Sequence, residues 1–370
     1  MNRVLIASPI PSHPQDQGNS ARIHALGRIL QSAGIIVHFL YYAMEGLTPG
    51  QRAAMEACWD HFHAVPCAPR ATAPGANGVY RLDDWWDPAV AAAARELHRR
   101  WRFGAVIANY VWFSAVLDAF GSDVVKVLDT HDVFGGRADR FRAAGLEPEW
   151  FYTTPAEEAR GLARADIVLA IQDEEAGHFR GLGHGDVRLV GHLPPFAKRS
   201  PRPVAASVIT AGYLASGNPI NVSSFERLRH RLASGGAPGM KLMVAGAICD
   251  KLPVRPEPFA ALGRVDDVAS FYDAVDLVIN PMTFGTGLKI KSVEAVFQGL
   301  PLVATAAAMT GLPARHPYHR FASVEALADR LAAFGTDDLA DLAQASWECR
   351  AEYSAGVRAA FRELIAAIAR

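Results

Sequence analysis

The strongest constraint on the fold is an alternation of short apolar runs with amphipathic segments that extends through most of the 370 residues. The first half opens with the apolar run 3–7 (RVLIA), a segment of helical period over 21–33, and a second apolar run over 35–41. Runs that are apolar on both faces are typical of parallel strands covered by helices. Further strands are expected at 103–108, 124–129, 166–171, 207–211, 241–245, 277–280 and 301–305, and residues 324–370 are predicted to be helical.

The alternation is interrupted once. Residues 192–206 are rich in proline and basic residues and show no periodicity, which is typical of a linker. We therefore predict two Rossmann-like, doubly wound α/β domains over 1–192 and 207–345, joined by a linker over 193–206. Ligands of such sheets bind beyond the carboxyl ends of the strands, so a cleft between the two domains is the expected site.

Composition excludes several classes of protein. The formal net charge of −1 gives no overall attraction to nucleic acid. The four cysteines are scattered without a CxxC pair, which favours a reducing compartment and argues against a structural zinc site. No apolar run reaches the roughly 18 residues of a membrane span, and the apolar start is too short for a signal peptide. A cytoplasmic protein is expected.

The most informative segment for function is 284–294 (FGTGLKIKSVE), which follows an apolar run and leads into a helix-like one. Gly285 and Gly287 allow the backbone to approach a phosphate, and the first N–H groups of the helix point at the same place. Lys289 and Lys291 add positive charge. The segment therefore predicts an anion-binding turn, although a plain tight turn with solvated lysines is the structural alternative.

Glu294 adds a second element to this site. It lies about one turn further into the helix, within reach of a pair of vicinal sugar hydroxyls. A diphosphate joined to a ribose fits the set better than a free phosphate does. Because the chain has no GxGxxG motif after its first strand, a nicotinamide cofactor is not expected.

The loop after the first strand, 8–20, is long for a connection between a strand and a helix, and long loops at that position are usually functional. Asn19 or Ser20 is expected to cap the following helix, which leaves Gly18 open to a phosphate or a sugar hydroxyl. A plain helix cap preceded by a proline-ordered loop is the alternative.

His131 follows a predicted strand and therefore lies at the edge of the sheet where ligands bind. We predict that it contacts the ligand, although a structural histidine is the alternative. Asp129 is expected to pair with Arg137 or Arg140, and Asp132 is a candidate helix cap.

Two further positions in the second half are candidates. Gly212 ends the first strand of that half, where a pyrophosphate can approach the backbone. The turn containing Arg264 and Val265 offers its backbone to the edge of a nucleobase, and the neighbouring Asp266 and Asp267 are equally simple helix caps.

These motifs resemble a known family. The segments GRVDD (263–267) and VDLVINPMTFGTGLKIKSVEAVFQGLPLVAT (275–305) are similar to the donor-binding region of the GT-B glycosyltransferases of family 4, the group 1 transferases. The similarity extends to the Gly18 loop, to THD at 130–132, to EEARGLARADIVLAIQDEE at 157–175 and to GYLASGNPINV at 212–222.

The resemblance implies a role for each matching residue. Lys291 and His131 take catalytic roles, Glu294 holds the ribose hydroxyls, and Asn19 and Asn109 lie on the acceptor side. The C-terminal helix over 346–370 is expected to cross back to the N-terminal domain. The remaining donor-binding residues implied are Gly18, Gly212, Arg264, Val265, Gly285, Thr286, Gly287, Leu288 and Lys289.

The sequence departs from the family pattern at two points. Thr286 stands where many members have the first glutamate of a Glu-x7-Glu pair. The segment 212–221 also lacks the arginine and lysine that neutralise the diphosphate in many members, so Lys289 or Lys291 is expected to take over.

The activity implied is a retaining transfer of a hexosyl-type group from a nucleotide diphosphate sugar to a hydroxyl of a sugar, lipid-linked or small-molecule acceptor, in cell-surface glycan or glycoconjugate synthesis. No cofactor and no metal are expected, since no DxD motif is present. A nucleotide-sugar epimerase and a non-catalytic sugar- or nucleotide-binding homologue are the alternatives. A peripheral membrane contact stays open.

Three aromatic stretches in the first half, 83–86 (DDWW), 110–113 (YVWF) and 150–152 (WFY), are candidates for stacking on an acceptor. At least two of the three are expected to be core or domain-interface residues instead.

Overall fold

The computed structural model describes residues 2–15, 17–68, 73–75, 78–194, 208–237, 239–253, 256–265, 268–285 and 287–369. The chain divides into two compact units. Unit 1 consists of 1–193, 286–288 and 357–370, and unit 2 consists of 194–285 and 289–356. Most of the predicted linker, from residue 195 onward, lies outside the described residues, as do Asp266, Asp267 and Thr286.

Unit 1 is built on a seven-stranded sheet in which every pairing is parallel. The strands lie in the order β3-β2-β1-β4-β5-β6-β7. Their bounds are β1 Arg3–Ser8, β2 Ile36–Ala43, β3 His61–Pro66, β4 Ala105–Asn109, β5 Val125–Asp129, β6 Ile167–Ala170 and β7 Val187–Leu189.

The helices of unit 1 connect these strands. They are α1 Gly18–Ser32, α2 Pro49–Cys58, α3 Pro88–Trp101, α4 Arg137–Ala143, α5 Pro155–Leu162 and α6 Asp173–Gly181, with a 3₁₀ segment over Val111–Ala119. Thr48, Asp87 and Thr154 cap α2, α3 and α5, each followed by a proline that suits the first turn.

The start of α1 differs from the prediction. The helix begins at Gly18, and its N-cap is Gln17, which makes no side-chain capping bond. Asn19 and Ser20 lie inside the first turn, so the expectation that one of them caps the helix is wrong. Their side chains are therefore available for contacts across the unit.

Unit 2 contains a five-stranded parallel sheet in the order β10-β9-β8-β11-β12. Its strands are β8 Ile209–Leu214, β9 Met240–Ala245, β10 Ala260–Ala261, β11 Leu277–Asn280 and β12 Leu302–Ala304. Its helices are α7 Pro219–Gly235, α8 Val268–Ala274, α9 Ile290–Phe297, α10 Val324–Leu331 and α11 Thr336–Ile368, with 3₁₀ segments at Ala247–Lys251, Ala307–Met309 and Pro317–His319. The predicted parallel sheets are confirmed in both units.

The helix α11 ends in unit 1. Within that unit, the amide of Asn2 donates to the carbonyl of Ala369 at 2.8 Å, and Arg188 reaches the carbonyl of Glu363 at 3.5 Å. None of the described helices is both long and apolar enough to cross a membrane.

The strand orders fix where each unit can bind a ligand. In unit 1 the chain winds outward from β1 to β2 and β3, then returns to continue with β4 on the other side of β1. In unit 2 the same reversal separates β8 from β11. Connections diverge at such a switch point, which leaves a crevice at the carboxyl ends of the two strands. A ligand site is therefore expected at the loops after β1, β4, β8 and β11.

The aromatic stretches of unit 1 form one packed cluster. Trp85, Trp112 and Phe151 are buried, and ring centroids of successive members lie 5.3–6.4 Å apart. Trp150 is the exception, since 38% of it is exposed. The expectation that most of these residues belong to the core is confirmed.

Glu158 also has a structural role. Glu157 and Glu158 precede Arg160 and Arg164 at the spacing of ion pairs on an exposed helix face, but the side chain of Glu158 is fully buried. Its carboxylate accepts from the backbone N–H of Phe134 and lies 2.7 Å from the ring of His178. The exposed-face interpretation is therefore wrong for Glu158, whereas Glu157 does pair with Arg160.

Gly212 in β8 is explained by packing. A Cβ atom at this position would lie 2.6 Å from a methyl of Val275 and 2.7 Å from the ring of Phe271. Both neighbours are buried, so neither can move away at low cost. The lack of a side chain at Gly212 thus allows the segment that follows α8 to pack on the sheet.

We expect Gly212→Ala to destabilise the protein by about 1–3 kcal/mol, the usual cost of overpacking a core. Gly235→Ala in α7 is the matched control, because a Cβ there meets nothing within 4 Å and alanine is favoured in a helix. Urea unfolding followed by circular dichroism measures both. If Gly212→Ala left stability unchanged and weakened nucleotide binding, the glycine would be there for a ligand instead.

Candidate functional site

The loop after β11 has the backbone conformation that the sequence suggests. Gly285 and Gly287 have φ angles of 127° and 79°, which residues with a side chain rarely adopt. The side-chain ammonium of Lys289 donates to the carbonyl of Gly285 at 2.8 Å and holds the bend closed. Lys289 is also the N-cap of α9, and its own side chain does not cap the helix.

A buried polar network fixes the two ends of this loop. The amide of Asn280, the last residue of β11, donates to the hydroxyl of Ser292 in the first turn of α9 at 2.7 Å. That hydroxyl donates to the carbonyl of Ala308 at 2.7 Å. Because all three groups are buried, replacing one would leave its partner unsatisfied, at a cost of about 1–3 kcal/mol.

Two more hydroxyls hold the middle of the loop. Thr305 donates to the carbonyl of Met282, and the backbone N–H of Thr283 donates to Ser224 at 3.3 Å. None of the four residues Asn280, Ser292, Thr305 and Ser224 was predicted from the sequence as part of the site. A polar residue at the end of a buried strand is the local signal for Asn280, but its partners are fixed by the fold.

Glu294 lies near the surface of unit 2 with 11% of its side chain exposed. Its Oε2 atom accepts from the hydroxyl of Tyr272 at 3.1 Å and from the ammonium of Lys291 at 2.9 Å. Burial and the neighbouring carboxylate raise the pKa of Tyr272 well above its usual value, so the phenol remains a donor. The structure therefore places Glu294 and Lys291 together, in contact with each other.

The other predicted donor residues in the second half of the chain are placed as follows. Arg264 is exposed and pairs with Asp250 at 2.7 Å, and Val265 is half-buried beside it in the turn after β10. Leu288 is buried. The segment after β8 forms the start of α7, where the side chain of Asn218 accepts from the N–H of Asn221 at 2.8 Å.

In unit 1 a buried ion pair lies at the carboxyl end of β5. The guanidinium of Arg22 in α1 donates to both carboxylate oxygens of Asp129, at 2.7 and 2.9 Å, and both side chains are essentially unexposed. The predicted pairing of Asp129 with Arg137 or Arg140 is therefore wrong. Breaking a buried pair of this kind typically costs about 3–5 kcal/mol, because one charge is left without its partner.

Arg137 pairs instead with Asp132, at 2.5 Å. The other carboxylate oxygen of Asp132 accepts from the adjacent N–H of Val133. The N-cap of α4 is Gly136, so Asp132 is not its helix cap.

His131 is held by Asn109, which ends β4. The Nε2 atom of His131 lies 2.8 Å from Oδ1 of Asn109, and the Nδ2 group of Asn109 donates to the carbonyl of Ala7 at 3.1 Å. The amide orientation makes Oδ1 the acceptor, so the proton of the neutral ring is on Nε2 and the lone pair is on Nδ1.

Burial lowers the pKa of His131 to about 4, although the carboxylate of Asp129 acts in the opposite direction. The imidazole is therefore neutral at pH 7. Its Nδ1 can accept a hydrogen bond from a hydroxyl at the carboxyl edge of the sheet.

An aromatic run leads from His131 to the surface. The ring of Tyr110 stacks on His131 with centroids 4.3 Å apart, Trp112 stacks on Tyr110 at 5.3 Å, and the exposed Trp150 packs on Trp112 at 6.4 Å. The phenol of Tyr110 is hydrogen-bonded to Asn19, next to Gly18 at the start of α1. Arg22 was not predicted from the sequence, and Tyr110 was predicted only as part of the aromatic stretch 110–113.

The backbone of this run is strained. Tyr110, His131 and Trp150 have φ angles of 73°, 63° and 63°. Left-handed backbone at residues other than glycine is costly, and such residues gather at functional sites. The strain therefore supports a functional role for this edge of unit 1.

Comparison with known protein families finds a match in the second half of the chain. Residues 208–337 match the family model of the glycosyl transferases of group 1. No curated protein matches the chain.

Several solved structures are similar along the full length. Anabaena HepE in complex with UDP and glucose has a TM-score of 0.68 and 16% identity, over 100% of both chains. Sucrose-phosphate synthase from Thermosynechococcus elongatus has a TM-score of 0.68 and 16% identity, over 98% of this chain and 97% of the other. A mutant of S. aureus TarM in complex with fondaparinux, alpha-GlcNAc-glycerol and UDP has a TM-score of 0.66 and 8% identity, over 98% and 100%. At these identities the likeness shows the fold, and the predicted GT-B class is confirmed.

We expect His131 to make the stability of the protein sensitive to acid. The folded pKa of about 4 lies below the ordinary value of 6.5, so the unfolded chain takes up the proton first as pH falls. The contribution of His131 to the free energy of unfolding is therefore fully present above pH 6.5. It is lost between pH 6.5 and 4, by about 3 kcal/mol at most.

The measurement is the free energy of unfolding of the wild type and of His131→Gln at several pH values. Six of the seven tryptophans lie within residues 1–193, so tryptophan fluorescence reports mainly on unit 1. The wild type minus variant difference should shrink as pH falls from 7 to 4. A difference that stays constant would show that His131 does not titrate in this way.

Proposed function

We propose that this chain, which has the GT-B fold and matches the group 1 glycosyl transferase model over residues 208–337, is a glycosyltransferase that transfers a sugar with retention of anomeric configuration. The donor is a nucleoside diphosphate sugar, and the acceptor is a hydroxyl group. The observation that carries the proposal is the bend at Gly285 and Gly287, which opens into α9 at the switch point of unit 2.

The diphosphate is proposed to bind at this bend. The first N–H groups of α9 and the positive end of its dipole favour an anion there. Lys289, whose ammonium already lies at the carbonyl of Gly285, and Lys291 in the first turn supply the charge that the segment after β8 lacks. Together they stabilise negative charge as it develops on the leaving diphosphate.

Glu294 is proposed to hold the ribose. Tyr272 fixes its carboxylate from one side, and Lys291 contacts the same oxygen, Oε2. When a nucleotide binds, two ribose hydroxyls donate to the carboxylate and Lys291 turns toward the phosphates. In the absence of nucleotide, the ion pair keeps both side chains in place.

We propose UDP as the nucleotide. HepE and TarM, which share the fold, have been crystallised with UDP. The choice among uridine, guanosine and thymidine diphosphates depends on the turn at Arg264 and Val265, where the backbone is proposed to face the base.

The chemistry needs one bond to break and one to form. The bond between the anomeric carbon and the diphosphate oxygen breaks, and the acceptor oxygen bonds to the same face of that carbon. The acceptor proton passes to the departing diphosphate oxygen, so no side-chain nucleophile is required. His131, neutral with its lone pair on Nδ1, orients a hydroxyl of the transferred sugar. The proposal requires no metal at the diphosphate.

The acceptor is proposed to bind on unit 1. Asn19, Asn109 and the exposed indole of Trp150 lie along the aromatic run that ends at His131. An exposed indole ring suits stacking on the apolar face of a sugar. We propose a sugar or glycoconjugate acceptor of the kind used in cell-surface glycan synthesis, and a cytoplasmic location for the reaction.

We expect Glu294→Gln and Lys291→Met each to weaken UDP binding about 10- to 100-fold, the range for the loss of a hydrogen bond to a charged group. Lys241→Met is the matched control, because Lys241 is exposed near the amino end of β9, opposite to the site. Isothermal calorimetry with UDP, GDP and dTDP measures the affinities. Wild-type affinity in both site variants would rule out the donor site.

We expect the product to keep the anomeric configuration of the donor. The measurement is ¹H NMR of the product formed from an α-linked UDP-sugar and an acceptor, read from the coupling of the anomeric proton at the new glycosidic bond. A β-linked product would contradict retention. Conversion of the donor sugar without any acceptor would favour the epimerase alternative.

A further inference from the structure

Three side chains that bind metals come together in unit 1, although they are far apart in the sequence. His13 lies in the loop after β1, His24 lies in α1, and Cys58 is the last residue of α2. One ligand atom from each lies within 4.8 Å of the other two. All three residues are half-buried, so an ion in solution can reach them.

We propose that His13, His24 and Cys58 form a Zn²⁺ site. Two imidazole nitrogens and one thiolate are the ligands that Zn²⁺ takes in proteins, and the fourth tetrahedral position is left for water. With bonds of about 2.0–2.3 Å, the ligand atoms of such a site lie about 3.5 Å apart, so they need to close by about 1 Å.

The neighbours of His13 orient its ring for metal binding. Its Nδ1 lies 3.0 Å from the hydroxyl oxygen of Ser12, which is buried and also accepts from the indole N–H of Trp59 at 2.9 Å. When Nδ1–H donates to Ser12, Nε2 carries the lone pair and is the ligand atom. A second hydrogen bond that fixes the tautomer is a regular feature of metal-binding histidines.

Trp59 supports both rings. Its centroid lies 6.4 Å from that of His13 and 5.9 Å from that of His24, and the two imidazoles meet edge to face at 5.1 Å. The indole is itself buried against Phe39 and Gly27. The histidines are therefore held on a rigid surface rather than on a mobile one.

The charges around the cluster suit neutral imidazoles. Burial lowers the pKa of His13 and lowers that of His24 to about 4, so neither carries a proton that the metal has to displace at pH 7. Burial raises the pKa of the Cys58 thiol, while the guanidinium of Arg28 acts in the opposite direction. Zinc binding would release the thiol proton, and the thiolate would then lie beside Arg28.

The effect of zinc binding on the structure would be local. The ion would tie the loop after β1 to α1 and α2, and that loop leads directly into Gly18 and Asn19. The site is separate from the proposed transfer chemistry, which needs no metal, so the two proposals can fail independently.

The first test uses the full-length protein, freed of metal by dialysis against a chelator. Titration with Zn²⁺ in competition with a chromophoric chelator should give one ion per chain. With Co²⁺ in place of Zn²⁺, we expect a thiolate-to-cobalt charge-transfer band and the intense visible bands of a tetrahedral ion. Failure to bind either ion, or a cobalt spectrum without the thiolate band, would overturn the proposal.

The second test uses variants. His13→Ala, His24→Ala and Cys58→Ser should each weaken Zn²⁺ binding at least 100-fold, and Ser12→Ala should weaken it about 10- to 100-fold, the usual effect of losing such a supporting contact. Cys67→Ser and His184→Gln are the controls, since both residues lie in unit 1 outside the cluster. Far-UV circular dichroism checks the fold of each variant. Equal loss in the control variants would overturn the assignment.

Discussion

The structure depends on strands that are apolar on both faces. β1, β4, β6 and β11 are buried along nearly their whole length, so helices must cover both sides of each sheet. Polar side chains are then tolerated mainly at the ends of the strands. Parallel pairing brings those ends to one edge, and the reversal of winding opens a crevice there. Asn109 and Asp129 stand at that edge in unit 1, and Asn280 stands at it in unit 2.

Local features of both units could be predicted from the sequence because they follow from local patterns. The strand over 277–280 matches β11, and the left-handed glycines 285 and 287 are where the motif places them. Partners distant in the sequence could not be predicted. Asp129 is paired with Arg22, which is far away in the chain, and the nearer Arg137 is paired with Asp132. Periodicity reports which face of an element is buried, but the topology decides which polar groups meet.

Two glycines show the same limit of prediction from the sequence. From the sequence, Gly285 is placed after a strand and Gly212 at the end of one, and both are predicted to face a phosphate, but Gly212 lies inside β8. Gly285 needs its backbone conformation, with φ of 127°, whereas Gly212 makes room for Phe271 and Val275. The histidines differ in a similar way: His131 is fixed by Asn109 at the edge of the sheet, and His13 and His24 meet Cys58 on another surface. The environment, not the residue type, gives each its chemistry.

We propose that the bend after β11 and the carboxylate of Glu294 hold a nucleoside diphosphate. A crystal structure of the protein with a bound UDP-sugar is the decisive test. We expect both ribose hydroxyls within about 3 Å of the Glu294 oxygens, a usual hydrogen-bond distance, and the diphosphate against the N–H groups that open α9. We also expect that Lys291 has left Glu294 for a phosphate oxygen. A nucleotide bound elsewhere, with the Lys291–Glu294 pair intact, would contradict it.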